Sequence, residues 1–177
     1  NNHGGEFPFT FFGLNPETSR EQVRDALAAF PRGDNKLLDL SRAYKLVLDT
    51  GWDVPPGVLH APGSLCTYEP QVASDVYAMY QSVLLNGQCV PEELLWKNSP
   101  PEERGNIEYL LEVIDWEQNV DPAFSERHFM RPLPVRPEAA MAEDGYLEEW
   151  ICYRCPVVSA KRLTVRPVQH VDGPAGR

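Results

Sequence analysis

The candidates for holding a metal ion or moving a proton in this sequence are His3, Glu6, His60, Glu69, Asp75 and His128. A mixed imidazole and carboxylate set drawn from separated strands suits a borderline divalent ion such as zinc, iron or manganese. His60 has the most informative surroundings. It follows Pro55, Pro56 and Gly57 in the stretch GWDVPPGVLHAPGSLCTYEPQVASD, residues 51–75. Proline fixes φ and glycine allows φ above zero, so these three residues specify a rigid bend between extended segments. The imidazole just beyond the bend is then held in one direction. Such placement serves a ligand or a proton-transfer group, because little conformational entropy remains to be lost on binding. Taken alone, a histidine there reads first as a polar residue leaving a hairpin, and its neighbours must decide. His3 and Glu6 lie at the mouth of the first strand. His128, in SERHFMRP, reads as a surface or interface residue.

The bulk composition narrows the classes. A chain of 177 residues can bury one good core, or one core and part of a second. Sixteen basic against 26 acidic residues leave a formal charge of -10, which repels nucleic acid and anionic lipid, and no basic stripe offsets it. No apolar run approaches the roughly 20 residues that cross a bilayer, and NNHGGEFPF lacks the regions of a secretory signal, so the expected location is cytoplasmic. Of the four cysteines, Cys152 and Cys155 form the one C-x-x-C pair. With no second pair and no βαβ context, ordinary reduced thiols are expected.

Several elements must position these residues. Phe7, Phe9 and Phe11 alternate, which predicts an opening strand with one buried face. Ser19 and Gln22 form a capping box ahead of Val23, Ala26, Leu27 and Phe30, closed by Pro31 and Gly33, which predicts a helix over 17–30. A strand is expected over 43–48. Val76, Met79, Tyr80, Val83 and Leu84 have helical spacing, although so short a run also fits a buried strand. Residues 92–126 carry ten acidic and two basic residues, a solvated face, and Ser99-Pro-Pro-Glu102 opens a helix whose core side is Ile107, Leu110, Leu111 and Ile114. Four prolines between 122 and 137 mark an extended crossover. Alternation returns in YLEEWICYR and SAKRLTVRP, predicting two strands over 146–165. The chain therefore reads as mainly β, a small barrel or sandwich with helical insertions at about 17–30 and 92–117. Residues 1–118 form the first unit and 119–177 the crossover and further strands.

The segment N-H-x-x-E at Asn2, His3 and Glu6, running into FPFTFFGLNP, resembles the N-H-x-P-E segment and following strand of type I mannose-6-phosphate isomerases. VPPGVLHAPG, ending at Gly63, resembles the same family's P-A-G-x-x-H-A segment. In that family a glutamate follows the histidine by nine residues and the aspartate of an S-D pair follows by six more, the intervals of His60, Glu69 and Asp75 here. The likeness is strong over residues 1–75 and loose beyond. It implies a cupin β-barrel, the jelly roll that this family carries in duplicate. Residues 146–165 would then either complete the first barrel or open a second cupin unit.

Carried over residue by residue, the resemblance makes Glu6 and His60 metal ligands, zinc being the family's usual ion, and puts Glu69 in the sugar site as the catalytic carboxylate. His3 is not a ligand in the family. The family's Q-x-H ligands lie upstream of N-H-x-x-E, where this sequence has no residues, so the chain is a fragment or its site is completed otherwise. Four residues after the aspartate the family carries an arginine, and here that position is Met79, which can neither grip a phosphate nor stabilise an enediolate. Two functions are therefore expected: a metal-dependent aldose-ketose isomerase of sugar phosphates, or a non-catalytic module that binds a sugar or a metal. Open strand edges at both ends of such a barrel also make a homodimer an expected assembly.

Overall fold

The structure, a computed structural model, describes residues 8–73 and 77–165. In chain order its strands are β1 (Phe9–Leu14), β2 (Ser41–Lys45), β3 (Gly51–Trp52), β4 (His60–Ala61), β5 (Phe129–Met130), β6 (Leu133–Pro134), β7 (Tyr146–Cys152) and β8 (Ala160–Val165). Its helices are α1 (Arg20–Ala29), α2 (Ile107–Glu112), α3 (Trp116–Asn119), α4 (Phe124–His128) and α5 (Glu138–Glu143). The fold is mainly β, with three antiparallel sheets ordered β2-β1-β4, β3-β5 and β6-β7-β8, and among the described residues none closes into a barrel. None of the helices is long and apolar enough to cross a membrane. The chain divides into two compact units, residues 1–46 with 54–127, and residues 47–53 with 128–177.

In the first unit the capping box forms as the spacing predicts. The Ser19 side chain accepts from the Gln22 N–H at 3.2 Å, while the Gln22 side-chain Oε1 accepts from the Ser19 N–H at 2.8 Å. α1 then buries Val23, Ala26 and Leu27 and ends where Pro31 takes the chain into a single 3-10 turn, Phe30–Arg32. These side chains join Leu14 of β1, Leu110 and Leu111 of α2, and Ile114 and Tyr80 in one apolar core. The helix expected from Ser99 starts later. Pro101–Glu103 makes only a 3-10 turn, and α2 begins after Asn106, whose side chain accepts from the Glu108 N–H.

Residues 77–85 are neither helix nor regular strand, although their spacing fits both. Their backbone groups find distant partners instead: Met79 N–H donates to the Leu94 carbonyl at 3.0 Å, and the Tyr80 carbonyl accepts from the Asn35 side chain at 2.8 Å. Asn35 and Ser82, each 3% exposed, hold one another through the Asn35 N–H to Ser82 Oγ and the Ser82 N–H to Asn35 Oδ1. A buried clasp of this kind replaces the local ladder that a helix would supply.

The opening strand departs from expectation in its buried side. Phe9 and Phe11 are only half-buried, whereas Thr10 and Phe12 are buried. The reason lies across the sheet, where the Phe12 ring packs 6.2 Å from both Tyr44 and Phe124, and Thr10 Oγ1 donates to the Ala61 carbonyl at 3.1 Å. The neighbouring strand also begins two residues earlier than expected, at Ser41, and ends at Lys45.

In the second unit β7 pairs with β6 on one side and β8 on the other, and Met141 of α5, fully buried, receives the Glu148 N–H on its sulfur at 3.4 Å. β3 pairs with β5, and their Trp52 and Phe129 rings lie 5.0 Å apart. His128 belongs with this pair. Its side chain is 14% exposed and its Nδ1 lies 3.4 Å from Asp53 Oδ2, so the residue expected at a surface or interface is largely covered within its own unit.

Candidate functional site

The bend before His60 is held from outside its own segment. Asn119, at the end of α3 and 0% exposed, donates from Nδ2 to the Gly57 and Asp115 carbonyls at 2.7 Å each and accepts at Oδ1 from the Leu59 N–H at 2.9 Å. Gly57 has φ of +79°, as the Pro-Pro-Gly bend requires, and its carbonyl also accepts from the Asp115 N–H at 3.1 Å. From β1, the Gly13 N–H donates to the Leu59 carbonyl at 2.8 Å. Both backbone groups of Leu59 are therefore fixed one residue before the imidazole.

Asp115 anchors the other side of this network by capping α3, accepting from both the backbone N–H and the side-chain amide of Gln118. Those hydrogen bonds, the side-chain one first, hold its carboxyl below the ordinary range against a smaller opposing effect of burial. A depressed folded pKa makes the contribution complete above the unfolded value near 4 and lost as pH falls through the folded one. Denaturation midpoints measured between neutral pH and about pH 3 should therefore decline by a component that Asp115→Asn lacks. Equal declines in both proteins would refute that assignment.

His60 sits on β4 opposite Phe12, so the two side chains share a face of the sheet. Its ring Nδ1 lies 3.1 Å from the Val58 carbonyl oxygen, which can only accept. An N–H at Nδ1 can donate to it, and in that tautomer the ring keeps a lone pair at Nε2. The residue itself is exposed.

The same face continues across the sheet. Thr10 pairs with Tyr44 of β2, and Arg42 alternates with Tyr44 onto that face beside Phe12, where the β1–β2 register shifts between Phe11 and Leu14. The Arg42 guanidinium lies 5.9 Å from the centroids of both the Tyr44 and the Phe124 rings. Its Nε and Nη2 are enclosed and have no hydrogen-bond partner among the described residues. Burial lifts the Tyr44 phenol above its ordinary value, Arg42 opposing and Asp121 reinforcing, so it is a protonated donor at neutral pH. His60 and Arg42 thus flank Phe12 on strands two apart, about 10 Å at the usual strand spacing. Fully buried Phe124 packs against the Arg42 guanidinium, whereas His60 is exposed.

The other sequence candidates fall elsewhere. Glu69 is exposed on the segment after β4, its Oε1 accepting from Thr67 Oγ1 at 3.0 Å. Met79, where the resembled family carries arginine, packs half-buried against the apolar core. His3, Glu6 and Asp75 lie outside the described residues. Among the described residues no three His, Cys, Asp or Glu side chains form a group that could hold a metal ion. His60 brings one nitrogen only, so the described donors do not fit the zinc that the resemblance implies.

Comparison with known proteins returns no match. Neither a family, nor a curated protein, nor a solved structure is similar enough to place the chain.

Asn119 and Arg42 escaped the sequence reading. Asn119 bonds to residues 60 and 62 positions away, which leaves no local period to read. Arg42 had a signal, its alternation with Tyr44, but the expected strand began one residue after it.

Proposed function

We propose that this chain is a cupin-type binding module for a small sugar phosphate, with the β2-β1-β4 sheet as one wall of a jelly roll. A single observation carries it: a rigidly held imidazole shares one sheet face with an arginine whose Nε and Nη2 have no acceptor among the described residues. Nε2 of His60 suits a sugar hydroxyl, and the cationic Arg42 about 10 Å away suits an anionic group at the far end of the same molecule. Because the support of His60 is preformed, little ordering accompanies binding.

Binding is favoured over turnover by Glu69, which is exposed and held only by its near neighbour Thr67, and by Met79, which serves the core. Calorimetric titration with mannose 6-phosphate and with mannose separates the parts. The phosphate ester should bind to folded protein, mannose more weakly, and His60→Ala should lose roughly tenfold or more in affinity, the worth of about 1.4 kcal/mol. Affinity unchanged in His60→Ala, or no heat with folded protein, would refute the proposal. Conversion to fructose 6-phosphate in the same samples would instead establish the isomerase that the resemblance implies.

A further inference from the structure

The C-x-x-C pair in the second unit sits in the connection between β7 and β8, where Cys152 is the last residue of β7. That connection is shaped in advance. The backbone N–H groups of Tyr153 and Arg154, the two residues between the cysteines, both donate to the sulfur of fully buried Met130, at 3.3 and 3.4 Å. The Tyr153 hydroxyl donates to the Arg131 carbonyl at 3.2 Å, fastening the same turn a second time. The Cys155 N–H and thiol both interact with the Cys152 thiol, whose sulfur lies 3.7 Å from the Val158 carbonyl. Both cysteines are half-buried, whereas Cys66 and Cys89 are exposed. No third ligand joins the pair in a metal-holding group among the described residues, so the chemistry left to two facing sulfurs is with each other.

We infer that Cys152 and Cys155 form a reversible dithiol–disulfide site, oxidised by exchange with a small disulfide of the glutathione type. Cys155 attacks first as its thiolate, forming a mixed disulfide and releasing one glutathione thiol. Cys152 then attacks the Cys155 sulfur, closing the intramolecular bond and releasing the second glutathione thiol. Two protein thiols are oxidised and one small disulfide is reduced to two thiols, so the exchange balances without another reactant. Burial pushes the Cys152 thiol up, which lowers its thiolate fraction and suits it to the second, intramolecular step.

The test treats the full chain with glutathione disulfide at about pH 8, traps remaining thiols by alkylation and maps the peptides by mass spectrometry. The wild-type chain should lose two hydrogens and carry a link within the Cys152–Cys155 peptide, with glutathione retained only on Cys66 and Cys89. Cys152→Ser, which deletes the second step, should retain glutathione on Cys155. Glutathione accumulating on Cys155 equally in both proteins, or both cysteines remaining open to alkylation in the wild type, would overturn the inference.

Discussion

Replacing Asn119 by Ala should remove about 3 kcal/mol of the first unit's stability. The amide makes three hydrogen bonds inside the protein, and the three partners are not equally exposed to its loss. The Gly57 and Asp115 carbonyls keep a second donor each, the backbone N–H groups of Asp115 and Asn119 respectively. The Leu59 N–H keeps nothing and becomes an orphaned donor, a cost of about 1 to 3 kcal/mol, to which two weakened carbonyls and a small void add. Asn119→Asp tests the same point with no void, because a carboxylate cannot donate to two carbonyl oxygens. Both variants should show lower denaturation midpoints and, because Leu59 precedes His60, weaker binding of mannose 6-phosphate. A midpoint within error of wild type for Asn119→Ala would remove the network from the account.

Gly13→Ala should cost a similar amount by a different route. Gly13 has φ of +66°, and a Cβ there would stand 2.6 Å from the Asn119 backbone carbonyl oxygen. The left-handed backbone alone costs an alanine about 1 to 2 kcal/mol. The collision adds to that, because Asn119 is pinned by its own side chain and cannot yield. Gly87→Ala separates the two contributions: its φ is +82° and nothing lies within 4 Å of the added Cβ. Midpoint losses should therefore be clearly larger at Gly13 than at Gly87. Equal losses would mean that β1 and α3 are not in tight contact at this point.

These two positions show which parts of the molecule can be read from sequence. α1 was legible because its instructions are local: Ser19 and Gln22 bond across three residues, and Val23, Ala26 and Leu27 recur at the helical period. β7 and β8 were legible for the same reason, their alternation being a property of neighbours along the chain. Residues 77–85 misled because Tyr80 and its neighbours are apolar for the sake of the core while their backbone is satisfied by Asn35 and Leu94, far away in sequence. In β1 the aromatic alternation marked a strand and its buried side was reversed, since Phe124 and Tyr44, which decide it, lie in distant segments.

At the site, the bend and His60 were legible and the means of holding them were not. Proline and glycine announce a turn through their own torsional limits, and Gly57 adopts the positive φ that this implies. The side-chain amide that secures the turn announces nothing, because hydrogen bonds over sixty residues leave no periodic trace. The resemblance drew attention to residue 79, where this chain has methionine, and gave no hint of Arg42, whose place on the His60 face is visible only once β2 and β4 are seen to flank β1.

The most direct test is the nitrogen resonance of His60 in isotope-labelled protein, followed while mannose 6-phosphate is added. Nδ1 should be protonated and Nε2 bare in the free protein. Nε2 should shift towards a hydrogen-bonded position as ligand saturates, with Nδ1 unmoved. A bare Nδ1, or an Nε2 resonance indifferent to saturating ligand, would contradict the role given to this imidazole.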